Sequence, residues 1–191
     1  AWEAERASGE YWTSTTSVPE AKLLAALFIN THQALRTVKE LLAEPNINLH
    51  LRPPAIDDHV FPLVSSGHDW PLWHACLNGS VEYAALLLSH GSRTELDGDD
   101  MTPLMTAAVC GDPEAPLLVE LLLRYGASTA RTNSLGFNAL EVAHASRTNS
   151  DECARLEHVF GSIHPASDHV ITMLAEAGRG QLRKRGGGGG G

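Results

Sequence analysis

The sequence predicts an all-α solenoid of about four helix–turn–helix repeats, the outer two irregular. Three observations predict it. First, a short pattern recurs. Asp69-Trp70-Pro71-Leu72-Trp73-His74-Ala75-Cys76 returns as Met101-Thr102-Pro103-Leu104-Met105-Thr106-Ala107-Ala108, with its Pro-Leu pair 32 residues further on. A third copy, Phe137-Asn138-Ala139-Leu140-Glu141-Val142-Ala143-His144, follows another 36 residues later. Second, an apolar segment that stops at glycine follows each of the first two copies. One carries Val81, Ala84, Leu86, Leu87 and Leu88 before His90-Gly91; the other carries Leu117, Leu118, Leu121, Leu122 and Leu123 before Tyr125-Gly126-Ala127. Third, 43% hydrophobic and 19% charged residues make a globular mixture, within reach of one domain for 191 residues.

Each element has a local reason. Thr102 caps the first helix of its repeat, and Pro103 takes the first helical position, where a missing N–H costs nothing. Ala75, Ala107 and Ala143 are small enough for helices to approach closely. Leucines three and four apart bury one stripe of each second helix. Gly91, Gly126 and Gly178 suit left-handed C-terminal caps. Glycine spacing is 12 from Gly79 to Gly91 and 15 from Gly111 to Gly126, which places extra residues within Asp112-Pro113-Glu114-Ala115-Pro116. No repeat of this size buries its own faces, so the repeats must stack.

This pattern resembles the ankyrin repeat family. Thr102-Pro103-Leu104 with Ala107-Ala108, Gly111, Leu121-Leu122 and Gly126-Ala127 is similar to one full repeat. Residues 70 to 92 resemble another, with Trp70 in place of the usual threonine, Trp73 at the usual histidine position and His74 one place late. Asn133-Ser134-Leu135-Gly136-Phe137-Asn138-Ala139-Leu140 resembles a third start.

The flanks depart from the pattern. Residues 17 to 49 read as a degenerate first repeat, with Ser17 and Glu20 as a capping box before Ala21 to Phe28 and with Val38-Lys39-Glu40-Leu41-Leu42 as its second helix. Residues 50 to 69 form a longer connection. His169 to Gly178 resembles a last second helix, and an insertion near 146 to 166 precedes it, with an added helix from Glu152 to Phe160. The expected organisation is a flexible acidic segment at 1 to 16, a repeat domain at 17 to 178 and a flexible basic, glycine-rich tail at 179 to 191. The repeats fall near 17–49, 65–97, 97–132 and 133–178. The start at Ala1 and the terminal glycine run read as edges of a processed or longer chain.

Composition narrows the partners. Fourteen Lys and Arg against 23 Asp and Glu leave −9, so nucleic acid is not expected. No apolar run is long enough to span a membrane. Three scattered cysteines favour a reducing compartment, and the expected location is intracellular, cytoplasmic or nuclear. Residues 1 to 16 have neither the apolar centre of a secretory signal nor the composition of a transit peptide.

The resemblance implies protein binding through loop tips and the concave face of the first helices, without catalysis or cofactor. Carried over position by position, the projecting loop is Glu95-Leu96-Asp97-Gly98-Asp99-Asp100-Met101, with four acids in six residues. That density suits a basic partner, although aspartate and glycine are also ordinary turn formers. Phe137, at the next tip, is either an aromatic anchor or a packing residue. The groove positions are Leu77 and Asn78, Val109 and Cys110, then Ala145 and Ser146, an apolar-to-small stripe fit for an apolar peptide. Trp70 and Trp73 share a helical face. They either pack against the 50–69 connection or present an aromatic contact. Ten histidines give no His-Glu-x-x-His, and the cysteines give no Cys-x-x-Cys, so neither a metal site nor a catalytic pair is expected. The alternatives are a structural subunit docked in a large assembly through its insertions, or the targeting domain of a larger enzyme.

Overall fold

A computed structural model of the chain describes residues 19, 22–23, 26–27, 32–44, 47, 49, 71–95, 101–148, 150–160 and 163–186. Eight helices are named among them. Contacts cluster into two compact units, Ala1–Arg93 and Thr94–Gly191.

The first unit contains α1 (His32–Leu42), α2 (Pro71–Leu77) and α3 (Val81–Ser89). Ala34, Val38, Leu41 and Leu42 line the buried stripe of α1, while Arg36 and Glu40 pair at 2.9 Å on its exposed side. Helical Leu23, Ala26 and Leu27 are buried too. Both α1 and α2 pack on α3. Between α2 and α3 the chain turns at Gly79, whose φ of 67° only glycine adopts without strain. Ser80 then caps α3 by accepting the Tyr83 N–H. α3 ends at the expected left-handed glycine, Gly91, where the Gly91 and Ser92 N–H groups bond back to the Leu88 and Leu87 carbonyls. The Ser17–Glu20 capping box, Trp70 and the connection at 50 to 69 lie outside the described residues.

The second unit contains α4 (Pro103–Val109), α5 (Ala115–Arg124), α6 (Ala139–Ala145), α7 (Asp151–Phe160) and α8 (Asp168–Gly186). Here the stacking logic is visible. First helices neighbour one another, α4 on α6, and second helices do likewise, α5 on α8. Each also meets its own partner, α4 with α5 and α6 with α8. Thr102 caps α4 as the sequence predicts, accepting the Met105 N–H with Pro103 behind it. All of α4 is buried. Asn138 caps α6 in a full capping box with Glu141. Residues 132 to 138 form a short hairpin closed by an isolated Thr132–Asn138 bridge, with Gly136 at φ 85° in its tip. The added helix is present as α7, inserted between the two helices of one repeat. It packs on α6 and buries Leu156 completely.

One expectation fails. Gly178 is no C-terminal cap; α8 runs through it to Gly186 and takes up the basic stretch expected to begin a flexible tail. The residues beyond the glycine explain this. Gln181-Leu182-Arg183-Lys184-Arg185 are good helix formers, and positive charge near a helix C-terminus is favourable. Together they outweigh two interior glycines, Gly178 and Gly180, which cost about 1 kcal/mol each against alanine.

Candidate partner-binding surface

In the first unit the expected groove positions close α2. Leu77 is the last helical residue, and it is 43% exposed, one of three exposed large apolar residues with Leu117 and Tyr125 among the described residues. Asn78 follows, half-buried, and its Nδ2 donates to the Leu27 carbonyl at 2.8 Å. That bond ties the end of α2 to the preceding helical segment and holds Leu77 in place. Trp73, on the same helix, is buried, and its ring meets His74 edge-on at 5.1 Å between centroids. It is not presented to solvent.

In the second unit the loop before α4 is described at its two ends, while Asp97, Asp99 and Asp100 lie outside the described residues. Glu95 Oε1 accepts the Ser128 N–H at 2.6 Å, which clasps this loop to the base of the next. Met101 is buried at 3% exposure, against the expectation that it faces a partner. Its sulfur accepts from Asn133 Nδ2. Asn133 organises the hairpin as well: its Oδ1 accepts the Leu135 and Phe137 N–H groups, and its own N–H donates to the Phe137 carbonyl. Met101 and half-buried Phe137 are thus brought together through one asparagine. Nothing in the sequence marked that residue beyond its place in a turn.

At the end of α4, Val109 is buried and its carbonyl accepts the His164 N–H at 2.9 Å. Cys110 is half-buried; burial, with the nearby Asp112 charge as a lesser contributor, pushes its thiol up from the ordinary value. That direction makes it a poor nucleophile at neutral pH. Ser146 is buried. Its hydroxyl donates to the Ala143 carbonyl and accepts the Ala166 N–H, fastening the return of the insertion to α6. Of the expected contacts among the described residues, Leu77, Asn78, Glu95, Cys110 and Phe137 retain accessible surface, whereas Trp73, Met101 and Val109 are buried.

Glu95 carries an electrostatic consequence. Burial raises its carboxyl above the ordinary value, while the Ser128 N–H and the Arg131 charge pull it back. The folded chain therefore binds this proton more tightly than the unfolded chain. Ionised Glu95 opposes folding at neutral pH, and that cost is relieved as pH falls through the raised pKa towards the ordinary glutamate value. Glu95→Gln keeps the acceptor for Ser128 and removes the charge. Urea unfolding should find the variant more stable than wild type at pH 7, with the gap narrowing as pH falls through the raised pKa and closed below the ordinary glutamate pKa of ~4.3. A gap that is constant with pH would contradict the assignment.

Among the described residues no group of His, Cys, Asp and Glu is arranged to hold a metal ion. No described helix is long and apolar enough to cross a membrane. A family model for ankyrin repeats, in 3 copies, matches residues 23–118 and 72–156. No curated protein matches the chain.

Proposed function

Because this chain belongs to the ankyrin repeat family, we propose that it is a non-catalytic scaffold, acting inside the cell by holding a protein partner through loop tips and the ends of its first helices. Ankyrin repeats are in general protein–protein interaction modules. The observation that carries the reading for this chain is Leu77. A large apolar side chain stands 43% exposed at the end of a short, otherwise buried helix. The side chain of the next residue, Asn78, is bonded to the Leu27 carbonyl, which anchors the helix end that carries Leu77 and lowers the ordering cost of binding there. The acidic loop supplies the second contact: Asp97, Asp99 and Asp100 are concentrated where the family projects its finger, which suits a basic surface. A partner that combines a basic patch with an apolar segment satisfies both.

The test is affinity capture on immobilised protein, comparing wild type, Leu77→Asp, and a triple variant with Asp97, Asp99 and Asp100 each changed to Lys. Helical circular dichroism must match among the three. A partner captured by wild type is expected to fall by about tenfold on each variant, the loss that follows from about 1.4 kcal/mol. A partner held equally by all three overturns the finger-and-helix-end reading and moves binding to the insertions.

A further inference from the structure

The insertion ends in a strap. Residues 163 to 167 run without regular secondary structure across the ends of the two first helices of the second unit. The His164 N–H donates to the Val109 carbonyl at 2.9 Å, at the end of α4. Two residues on, the Ala166 N–H donates at 3.0 Å to the hydroxyl of Ser146, the residue that closes α6. Ile163 and Ala166 are buried, at 9% and 5% exposure, while His164 and Pro165 between them stay exposed. Gly111 permits the close approach: a Cβ there would lie within 3 Å of three His164 atoms.

These helix ends are the counterparts of the one that carries Leu77. Val109 lies 32 residues after Leu77, and Ala145 another 36 after that, the spacing of the repeats themselves. At the first end Leu77 stands 43% exposed; at the other two, Val109 and Ala145 are 4% and 8% exposed and the strap is bonded beside them. The strap is seated as a bound peptide would be. Its main-chain donors, two residues apart, meet a side-chain hydroxyl and a carbonyl that a helix end leaves without an intrahelical partner. Its buried side chains, three apart, supply the apolar contact.

The strap belongs to an insertion that the repeat pattern does not require, and the insertion has anchors of its own. Leu156 of α7 is completely buried where that helix packs on α6, and Arg147 pairs with Asp168 at the start of α8. Lifting residues 163 to 167 gives up the two hydrogen bonds and two side chains, while those anchors and the helices stay formed. A segment held by so few bonds opens locally. We propose that the ends of α4 and α6 are a docking surface for an extended segment of a partner protein with apolar side chains three residues apart, and that the strap is its built-in competitor, displaced when the partner binds. On the helix-end binding proposed above, on which this rests, the end in the first unit is open and those in the second unit are closed until a partner lifts the strap.

The test selects a random peptide library, displayed on phage, against the full chain carrying Ile163→Asp, which sets a charge where the strap buries a side chain and so lifts it. Helical circular dichroism that matches wild type shows the helices intact. Enriched peptides, titrated by fluorescence anisotropy, should carry apolar residues three apart. They should bind Ile163→Asp about tenfold more tightly than wild type, where the tethered strap competes at an effective concentration of order millimolar. Wild type gives an independent readout should Ile163→Asp not fold. Hydrogen-exchange protection at the His164 and Ala166 amides should be at least about tenfold lower than inside α4 and α6, because the strap opens without them. Failure to enrich any peptide on the folded variant overturns the proposal, as does a set without that apolar spacing or equal binding to wild type. Protection at His164 and Ala166 equal to that of the helices overturns it too, by making the strap an integral part of the repeat. Capture by Leu77→Asp is scored apart: a partner lost there while the strap fails these tests ends the strap proposal alone, whereas a partner retained there ends the helix-end reading.

Discussion

Gly111→Ala is expected to cost the second unit about 3 kcal/mol, the larger share steric. Two terms combine. Gly111 sits at φ 78°, where an L side chain costs roughly 1–2 kcal/mol. Its missing Cβ also points straight at His164: an added methyl would lie 2.5 Å from Cγ, 2.7 Å from Cδ2 and 2.9 Å from Cβ. Turning the exposed His164 about χ1 would carry Cγ and Cδ2 away, but Cβ is fixed by the backbone and stays within 3 Å. Nor is the backbone of residue 164 free to retreat, because its N–H donates to the Val109 carbonyl at 2.9 Å. The turn after α4 and the return of the insertion are thus interlocked through the absence of one methyl group. A double-mutant cycle separates the terms. His164→Gly in the Gly111→Ala background removes every clashing atom and should restore the steric part, leaving the left-handed strain. His164→Ala should restore less, since its Cβ remains. Urea unfolding of the four corners measures both. A Gly111→Ala cost under about 1 kcal/mol, with no coupling to residue 164, would mean that the turn and the insertion simply move apart.

That pair also marks the limit of what the sequence discloses. The glycines that end each repeat are legible because their neighbours agree: an apolar run, a glycine, then a new polar start. Gly91 and Gly126 both take positive φ as that reading requires. Thr102-Pro103 is legible for the same reason, since cap, proline and small-residue helix all point one way. Gly178 follows an apolar run too, and there the local signal is ambiguous. Only the helix-forming residues beyond it decide between a cap and an interior position. The contact of Gly111 with His164 spans an insertion that no repeat pattern describes, so spacing carries no trace of it. The candidate contacts divide along the same line. The repeat register identifies Leu77 and Asn78 as the end of a helix, but not that Trp73, on the same short helix, turns inward. Burial is set by what stacks on the helix, and stacking partners come from distant segments.

Gln181→Ala is the second large loss, expected at about 2–3 kcal/mol. Gln181 stands on α8, and three hydrogen bonds leave its amide for the loop after α5. Its Oε1 accepts the Thr129 N–H at 3.0 Å and the Thr129 hydroxyl at 2.8 Å, and its Nε2 donates to the Ala127 carbonyl at 3.0 Å. Ala127 and Thr129 are both buried, so water from the open cavity that Thr129 and Gln181 line replaces only part of what the glutamine supplies. Truncation strands two main-chain groups and a hydroxyl, and an unmade buried bond costs more than a made one contributes. It also releases a side chain that binds the loop base to the last helix, close to where Glu95 clasps the same loop at Ser128. Glu and Leu replacements sort out the parts. Gln181→Glu keeps the acceptor for Thr129 but loses the donor to Ala127 and sets a carboxylate against a carbonyl oxygen, so it should recover part of the loss at low pH, where the added carboxyl is protonated and regains a donor. Gln181→Leu keeps packing volume and no bond, and should behave like alanine. The readout is urea unfolding together with hydrogen exchange at the Thr129 amide, whose protection should drop by about tenfold for each 1.4 kcal/mol of local stability lost. Unchanged protection in Gln181→Ala would show the loop to be held by its own turns, with the glutamine bonded to it but not supporting it.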